Sequence, residues 1–215
     1  MMAAANTSVL TVHGLHFSWP GVPLFQNLNL LIPAGVSVVC GEESSGKTTL
    51  LRLLSRDLVA DSGSFVFNGD KVSAEVSAEM QGYRTQVFRT DPRSDALDAI
   101  SAAAWFSSLP SRYPSFDTSV ALEFAHGFSL ATHLEKPMYM LSAGSKRKVW
   151  LCAAFAAGTA LTLIDEPFAA LDVASIRFLH GLLEEASEHV RRAWLLADHA
   201  PPNGIELKAR LVLGG

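Results

Sequence analysis

The chain has 215 residues, 49% of them hydrophobic and 18% charged, enough apolar material for a well-filled core and inconsistent with a disordered majority. Its net charge of −4 argues against nucleic acid as a partner, because a duplex-binding surface shows as a basic excess. The two cysteines, Cys40 and Cys152, lie in apolar runs and fit buried thiols in a reducing compartment better than a disulfide.

No charged-then-apolar leader with a small-residue cleavage site opens the sequence. The longest apolar stretch, Val149 to Ile164, falls short of a membrane span and ends on Asp165-Glu166. A soluble, cytoplasmic protein is expected, one that works at a membrane only if another chain crosses it.

In chain order, Val9 to Phe17 alternates as a strand on one face of a sheet, Trp19-Pro20-Gly21 breaks it, and Leu24 to Ile32 alternates again. Together they predict an antiparallel β layer. Pro33-Ala34-Gly35 then turns into Val36 to Cys40, a short β-branched strand. The next residues, Gly41-Glu42-Glu43-Ser44-Ser45-Gly46-Lys47-Thr48, fit the P-loop pattern G-x-x-x-x-G-K-[ST]. Thr49 to Leu54 follow with the apolar residues of a buried helix. A strand feeding a glycine-bearing turn and a helix aims backbone N–H groups and the helix's positive end at one spot, which holds a polyphosphate. Lys47 would neutralise the β- and γ-phosphates and the Thr48 hydroxyl would ligate magnesium.

Ser64 to Phe67 reads as a strand ending in the tight-turn signal Asn68-Gly69-Asp70, and Tyr83 to Phe88 as another short strand. From Pro92 to Met140 the spacing becomes helical, cut by Pro110, Pro114 and Pro137. Ala143 to Ala156 predicts a helix, Leu161 to Ile164 a buried strand, Asp172 to Glu188 an amphipathic helix, and Ala193 to Leu196 and Leu207 to Leu213 further strands. The expectation is one α/β domain over 1–215: a P-loop NTPase with a RecA-like parallel sheet, an N-terminal antiparallel β layer and an inserted helical subdomain, its core 1–91 and 141–215 and its insertion 92–140.

The strand Leu161 to Ile164 ends in Asp165-Glu166-Pro167. In an open parallel sheet the carboxyl ends of strands face the ligand crevice. Asp165 would therefore share the magnesium with Thr48, and Glu166 would act as general base toward a water aligned on the γ-phosphate. Upstream, in Leu141-Ser142-Ala143-Gly144-Ser145, Ser142 is a good N-cap and Gly144 permits close backbone approach, so this helix start can hold an anion. Lys146-Arg147-Lys148 reads as helix surface.

These motifs, in this order, resemble the ATP-binding subunits of ABC (ATP-binding cassette) transporters from about Val9 to the C-terminus. GEESSGKTT is similar to the Walker A motif, LSAGSKRK to the LSGGQ signature, LTLIDEP to Walker B with its glutamate, and Ala169 to Asp172 to the D-loop. The resemblance puts Gln86 at the Q-loop position, where it would sense metal and attacking water. It puts His199 at the switch-histidine position and Trp19 at the aromatic that stacks on adenine. It implies ATP and Mg²⁺ as cofactors, an integral membrane transport subunit as partner, and a place on the inner face of the cell membrane. It also implies a head-to-tail dimer in which Ser142 and Gly144 complete a facing subunit's site, with Asp172 beside it.

Three departures stand out: Ser44 and Ala143 replace glycines and Ser145 replaces glutamine. If the Ser44 position needs positive φ, its Cβ carries a cost. LSAG, DEPFAALD and the HAPPN tail are similar to the ATPase of bacterial haem exporters in cytochrome c biogenesis. Competing expectations are a soluble cassette ATPase of iron–sulfur cluster assembly, a non-hydrolysing nucleotide-binding module, and a P-loop kinase, which leaves LSAGS and His199 without roles. Trp105, Phe106 and Leu109 are expected to pack within the insertion rather than form a docking patch.

Overall fold

The computed structural model describes residues 8–72 and 78–214. Strands β1 (Ser8–Trp19), β2 (Val22–Pro33), β4 (Ser62–Phe67) and β5 (Asp70–Val72) form an antiparallel sheet in the order β2-β1-β4-β5. Strands β3 (Gly35–Cys40), β6 (Val87–Arg89), β7 (Leu161–Asp165), β8 (Ala193–Asp198) and β9 (Leu207–Val212) form a parallel sheet in the order β6-β7-β8-β3-β9. The α/β class, the P-loop NTPase core and the separate antiparallel layer all match the sequence reading.

Side chains of the parallel sheet alternate between two apolar clusters, as period-2 pleating requires. Val36, Val38, Phe88, Ile164, Trp194 and Leu196 face one of them. Val39, Val87, Leu161, Leu163 and Leu195 face the other, which includes Leu50, Leu51, Leu53 and Leu54 of α1 (Lys47–Leu54) and the inner face of β1. Helix α1 is thus packed between the two sheets.

The opposite face carries α3 (Ala102–Ser108), α4 (Thr118–Gly127), α5 (Ala143–Ala156) and α6 (Val173–Ser187). Each starts on a side-chain cap, from Ser101, Asp117, Ser142 and Asp172 respectively, which satisfies backbone N–H groups the helix leaves unpaired. The region expected as an insertion shares its core with the sheet. Phe88 of β6 lies 5.1 Å from Tyr113, and Trp105 of α3 lies 4.5 Å from Trp150 of α5. Trp105, Phe106 and Leu109 are buried, so packing is their role. No helix among the described residues is long and apolar enough to cross a membrane.

Two local readings are corrected. Tyr83 to Thr85, expected in a strand, belong to α2 (Ala78–Thr85), and the strand is confined to Val87–Arg89. Met80 and Tyr83 are both buried at a spacing of three, which is a helical repeat. The Tyr83 hydroxyl donates to the Leu54 carbonyl at 2.5 Å, and its ring packs edge-on against Phe67. Arg147, expected on a helix surface, is 7% exposed.

Because Phe88 is the sheet's largest side chain facing the helical cluster from β6, Phe88→Ala is expected to lower unfolding free energy by about 3–5 kcal/mol. Urea unfolding followed by fluorescence measures it.

Candidate functional site

The P-loop is built where fully buried β3 runs out. Gly46 caps α1 at φ 96°, a conformation that favours glycine, and a Cβ there would stand 3.1 Å from the side chains of Leu24 and Phe25, a tight contact. Ser44 sits at φ 64°, which confirms that this position takes the left-handed conformation and that its side chain is strained there. Lys47 is 7% exposed, and its ammonium donates to the carbonyls of Gly41 at 2.6 Å and Glu42 at 2.7 Å. The Ser45 hydroxyl, in the same loop, is buried and has no hydrogen-bond partner among the described residues. A curled loop, a lysine held over its mouth and an unsatisfied hydroxyl fit a polyphosphate. Glu42 and Glu43 are exposed on the loop's outside, and Thr49 lies in the first turn of α1.

Asp165 ends β7 on the face that Leu161 and Leu163 share, the face toward α1. It therefore meets Thr48, whose hydroxyl donates to the Asp165 carboxylate at 2.6 Å across 117 residues of sequence. Burial pushes the Asp165 pKa up, the Thr48 hydrogen bond opposes this, and the neighbouring Glu166 charge adds to it. A hydroxyl and a carboxylate are hard oxygen donors that suit Mg²⁺, which takes its remaining ligands from water and phosphate. Among the described residues no group of three or more His, Cys, Asp or Glu side chains could hold a metal.

Glu166 occupies the left-handed region at φ 45°, fixed by its N–H donating to the Ala197 carbonyl of β8 at 2.8 Å. Strain of this kind gathers at functional sites because surrounding structure must enforce it. Two arginines face its carboxylate. Arg93 makes an ion pair with it, and Arg147 of α5 stands 3.7 Å away. Burial pulls the Arg147 pKa down, and Glu166 counteracts this. Thr90 completes the floor: its N–H donates to Leu163 at 2.9 Å and its hydroxyl accepts from the Asp165 N–H at 3.1 Å. Sequence reasoning missed Thr90, Arg93 and Arg147. Ending the strand at Arg89 would have found the first two, because the residues that follow a strand's carboxyl end face the crevice.

The resemblance placed Gln86 at metal and water, and the structure does not bring it there. Gln86 precedes β6, and its carbonyl accepts from the N–H of Leu161, the first residue of β7. Asp165 lies four residues further along that strand, roughly 13 Å away. Gln86 is thus at the amino edge of the sheet, with Gly158 and Arg191, while Thr90 and Arg93 are at the carboxyl edge.

His199 follows β8 beside the P-loop strand, since Asp198 is in register with Cys40; it is exposed, and its N–H donates to Asp198 at 2.7 Å. Trp19, 42% exposed, leans edge-on against Phe17 at 5.1 Å. Phe17 pairs with Phe25, which touches Gly46, so Trp19 is at the end of the hairpin nearest the P-loop.

Ser142 caps α5, accepting from the Ser145 N–H at 3.1 Å and donating to the Ser145 hydroxyl at 3.0 Å. Gly144 does allow a close approach, made by this chain's own backbone: a Cβ there would lie 2.3 Å from the Ala170 carbonyl oxygen. Arg147 donates to the Ala169 carbonyl at 2.7 Å and Lys148 pairs with Asp172 at 2.6 Å. Asp172 has its pKa lowered, first by Lys148 and then by the Ser175 N–H.

Residues 25–169 match the model of the ABC transporter family, a span that holds the P-loop, the Ser142 segment and Asp165-Glu166. The chain belongs to this family. It is an ABC-type ATP-binding domain. Among curated relatives it is 32% identical to the cytochrome c biogenesis ATP-binding export protein CcmA of Cupriavidus pinatubonensis, over 96% of this chain and 89% of that one. It is 29% identical to the taurine import ATP-binding protein TauB of Yersinia pestis, over 95% of this chain and 79% of that one. It is 26% identical to the sulfate/thiosulfate import ATP-binding protein CysA of Neisseria meningitidis over 95% of this chain, and it spans 58% of that protein's length. Among solved structures, an ATP-binding cassette dimer bound to ADP and phosphate superposes with a TM-score of 0.77 at 19% identity, over 89% of this chain and 88% of that one. The ATP-binding subunit of another ABC transporter gives 0.78 at 19% identity, over 89% of this chain and 80% of that one.

Two variants separate structure from site. Gly144→Ala sets a methyl group against the Ala170 carbonyl and is expected to cost about 1–3 kcal/mol in stability, read from denaturant unfolding. For Asp165 the folded pKa is raised, so protonation favours the fold. Its contribution is fully present below the unfolded carboxylate pKa of about 3.9 and is lost as pH rises through the raised value. Asp165→Asn is therefore expected to raise Tm at pH 7, a gain that shrinks as pH falls toward the carboxylate range, in scanning calorimetry without nucleotide.

Proposed function

We propose that this chain is the ATP-hydrolysing subunit of an ABC transporter, binding ATP with Mg²⁺ and driving a separate integral membrane subunit from the cytoplasmic face of the membrane. The observation that carries the reading is the 2.6 Å contact between Thr48 and Asp165, with Lys47 and Glu166 adjoining them in sequence.

Backbone N–H groups from Gly41 to Thr49 and the Lys47 ammonium bind the phosphates, and Trp19 carries the base at the hairpin end. Thr48 and Asp165 would hold Mg²⁺, which when bound offsets charge on the phosphate oxygens. Glu166 accepts the proton of the attacking water, and His199 orients that water toward the γ-phosphate. Thr90, whose hydroxyl accepts from the Asp165 N–H, lies where the metal- and water-sensing role expected of Gln86 would be exercised. Ser142 and Gly144, on the exposed start of α5, would cover the nucleotide of a second cassette subunit arranged head to tail. Asp172, paired with Lys148, would flank that interface.

A cleft of about 250 Å³ beside β6, lined by Asp57, Arg89, Asp91 and Arg112 among others, offers a membrane subunit a charged seat. The 32% identity with CcmA supports export linked to cytochrome c biogenesis, and haem, the cargo suggested by the sequence resemblance, is the one we propose. Co-purification with an integral membrane protein, rather than a soluble scaffold, separates this from a soluble cassette ATPase.

Glu166→Gln tests the enzymology. Loss of a general base is expected to lower kcat by about 10²–10⁴-fold while ATP binding persists. Phosphate release and equilibrium binding, measured on one preparation, supply both numbers. Equal rates for the variant and the wild type would leave only a nucleotide-binding module.

A further inference from the structure

We propose that Arg93 is a positioning residue for Glu166, holding its carboxylate in the nucleotide-free protein and releasing it when the triphosphate arrives. The inference rests on Glu166 being the base. Arg93 and Arg147 both approach the same carboxylate oxygen, Oε2, of Glu166. The Arg93 guanidinium occupies an acceptor position on Oε2 and fixes the direction in which the carboxylate points, which restrains its turn toward an attacking water.

The two arginines differ in what holds them. Arg147 has a side chain only 9% exposed and is tied to the Ala169 carbonyl at 2.7 Å, so it is part of the wall. The Arg93 side chain is 72% exposed and stands just after Pro92 on the segment leaving β6. Its pair with Glu166 is therefore the releasable one, since exposed ion pairs contribute little and open readily.

Between these groups lies a cavity of about 40 Å³, lined by Thr48, Thr90, Asp91, Arg93, Asp165 and Glu166 among others. That is room for one or a few waters, with several polar partners around it. The charge balance supplies the switch. Without nucleotide, Arg93 and Arg147 face the carboxylates of Asp165 and Glu166. A triphosphate adds several negative charges on the Lys47 side that compete for the exposed guanidinium, so in the ATP-bound protein Arg93 divides between phosphate and Glu166, and the carboxylate is free for water in the share it leaves.

The test is steady-state ATPase of the full chain with Mg²⁺ over a range of ATP concentrations. Arg93→Gln is expected to raise kcat about two- to fivefold with KM within about twofold, the range an exposed ion pair can restrain. Arg93→Lys, which keeps the charge, is expected to stay near the wild type. Arg93→Gln with Glu166→Gln should be as slow as Glu166→Gln alone. A kcat for Arg93→Gln at or below that of the wild type overturns the proposal. A second readout is the Arg93 Nε–H resonance, assigned by its loss in Arg93→Lys: without nucleotide, Glu166→Gln should already move it away from its wild-type position, because the carboxylate that holds it is gone, and ATP added to wild type should shift it. No shift in wild type also overturns the proposal. If Glu166→Gln hydrolyses ATP normally, the functional reading itself fails; if it is inactive and only the Arg93 results disagree, this inference alone fails.

Discussion

The contact of Thr48 with Asp165 is the interaction on which the rest of the molecule depends. It joins the first turn of α1 to the last residue of β7, and both positions follow from strand order. Strand β8 lies between β3 and β7 with all three parallel, so their carboxyl ends share one edge. Period 2 then puts Asp165 on the α1 face, since Leu161 and Leu163 already pack there. A slip of one residue in β7 would turn Asp165 toward α5 and α6, away from Thr48. Pleating and helix packing therefore set which carboxylate reaches the phosphate side.

Around that contact the site stores unfavourable states that the fold can sustain. Asp165 is a buried acid with a raised pKa, Glu166 and Ser44 are non-glycine residues in left-handed conformations, and Ser45 carries an unsatisfied hydroxyl. Each is a cost without ligand, and each belongs to a group that a polyphosphate and its metal would touch. The apolar clusters on both sides of the parallel sheet, with α1 packed between the sheets, provide the stability that offsets them.

Chemistry carried by consecutive residues was legible in the sequence. The P-loop between a β-branched strand and an apolar helix, and Asp165-Glu166 after four apolar residues, mark their own places. What was not legible depended on registers set elsewhere. Tyr83 to Phe88 alternates like a strand, and only packing against Leu54 and Phe67 makes its first residues helical. That error hid the true carboxyl end of β6, and with it Thr90 and Arg93, while Gln86 was credited with a role at the wrong edge of the sheet. Arg147 looked like surface because a basic run usually is; its burial follows from the loop at Ala169 folding over α5. Gly144 was read as leaving room for an anion at the helix start, whereas the group packed against it is the Ala170 carbonyl of the same chain.

That last contact has a mechanical consequence. Gly144, Arg147 and Lys148 fall on one side of α5 and fasten, in turn, to Ala170, Ala169 and Asp172. The loop that begins at Glu166 is thereby riveted to the helix along a full turn, with no slack between backbone and backbone at its tightest point. Ser142, the cap of that helix two residues before Gly144, therefore shares one block with the loop that carries Glu166.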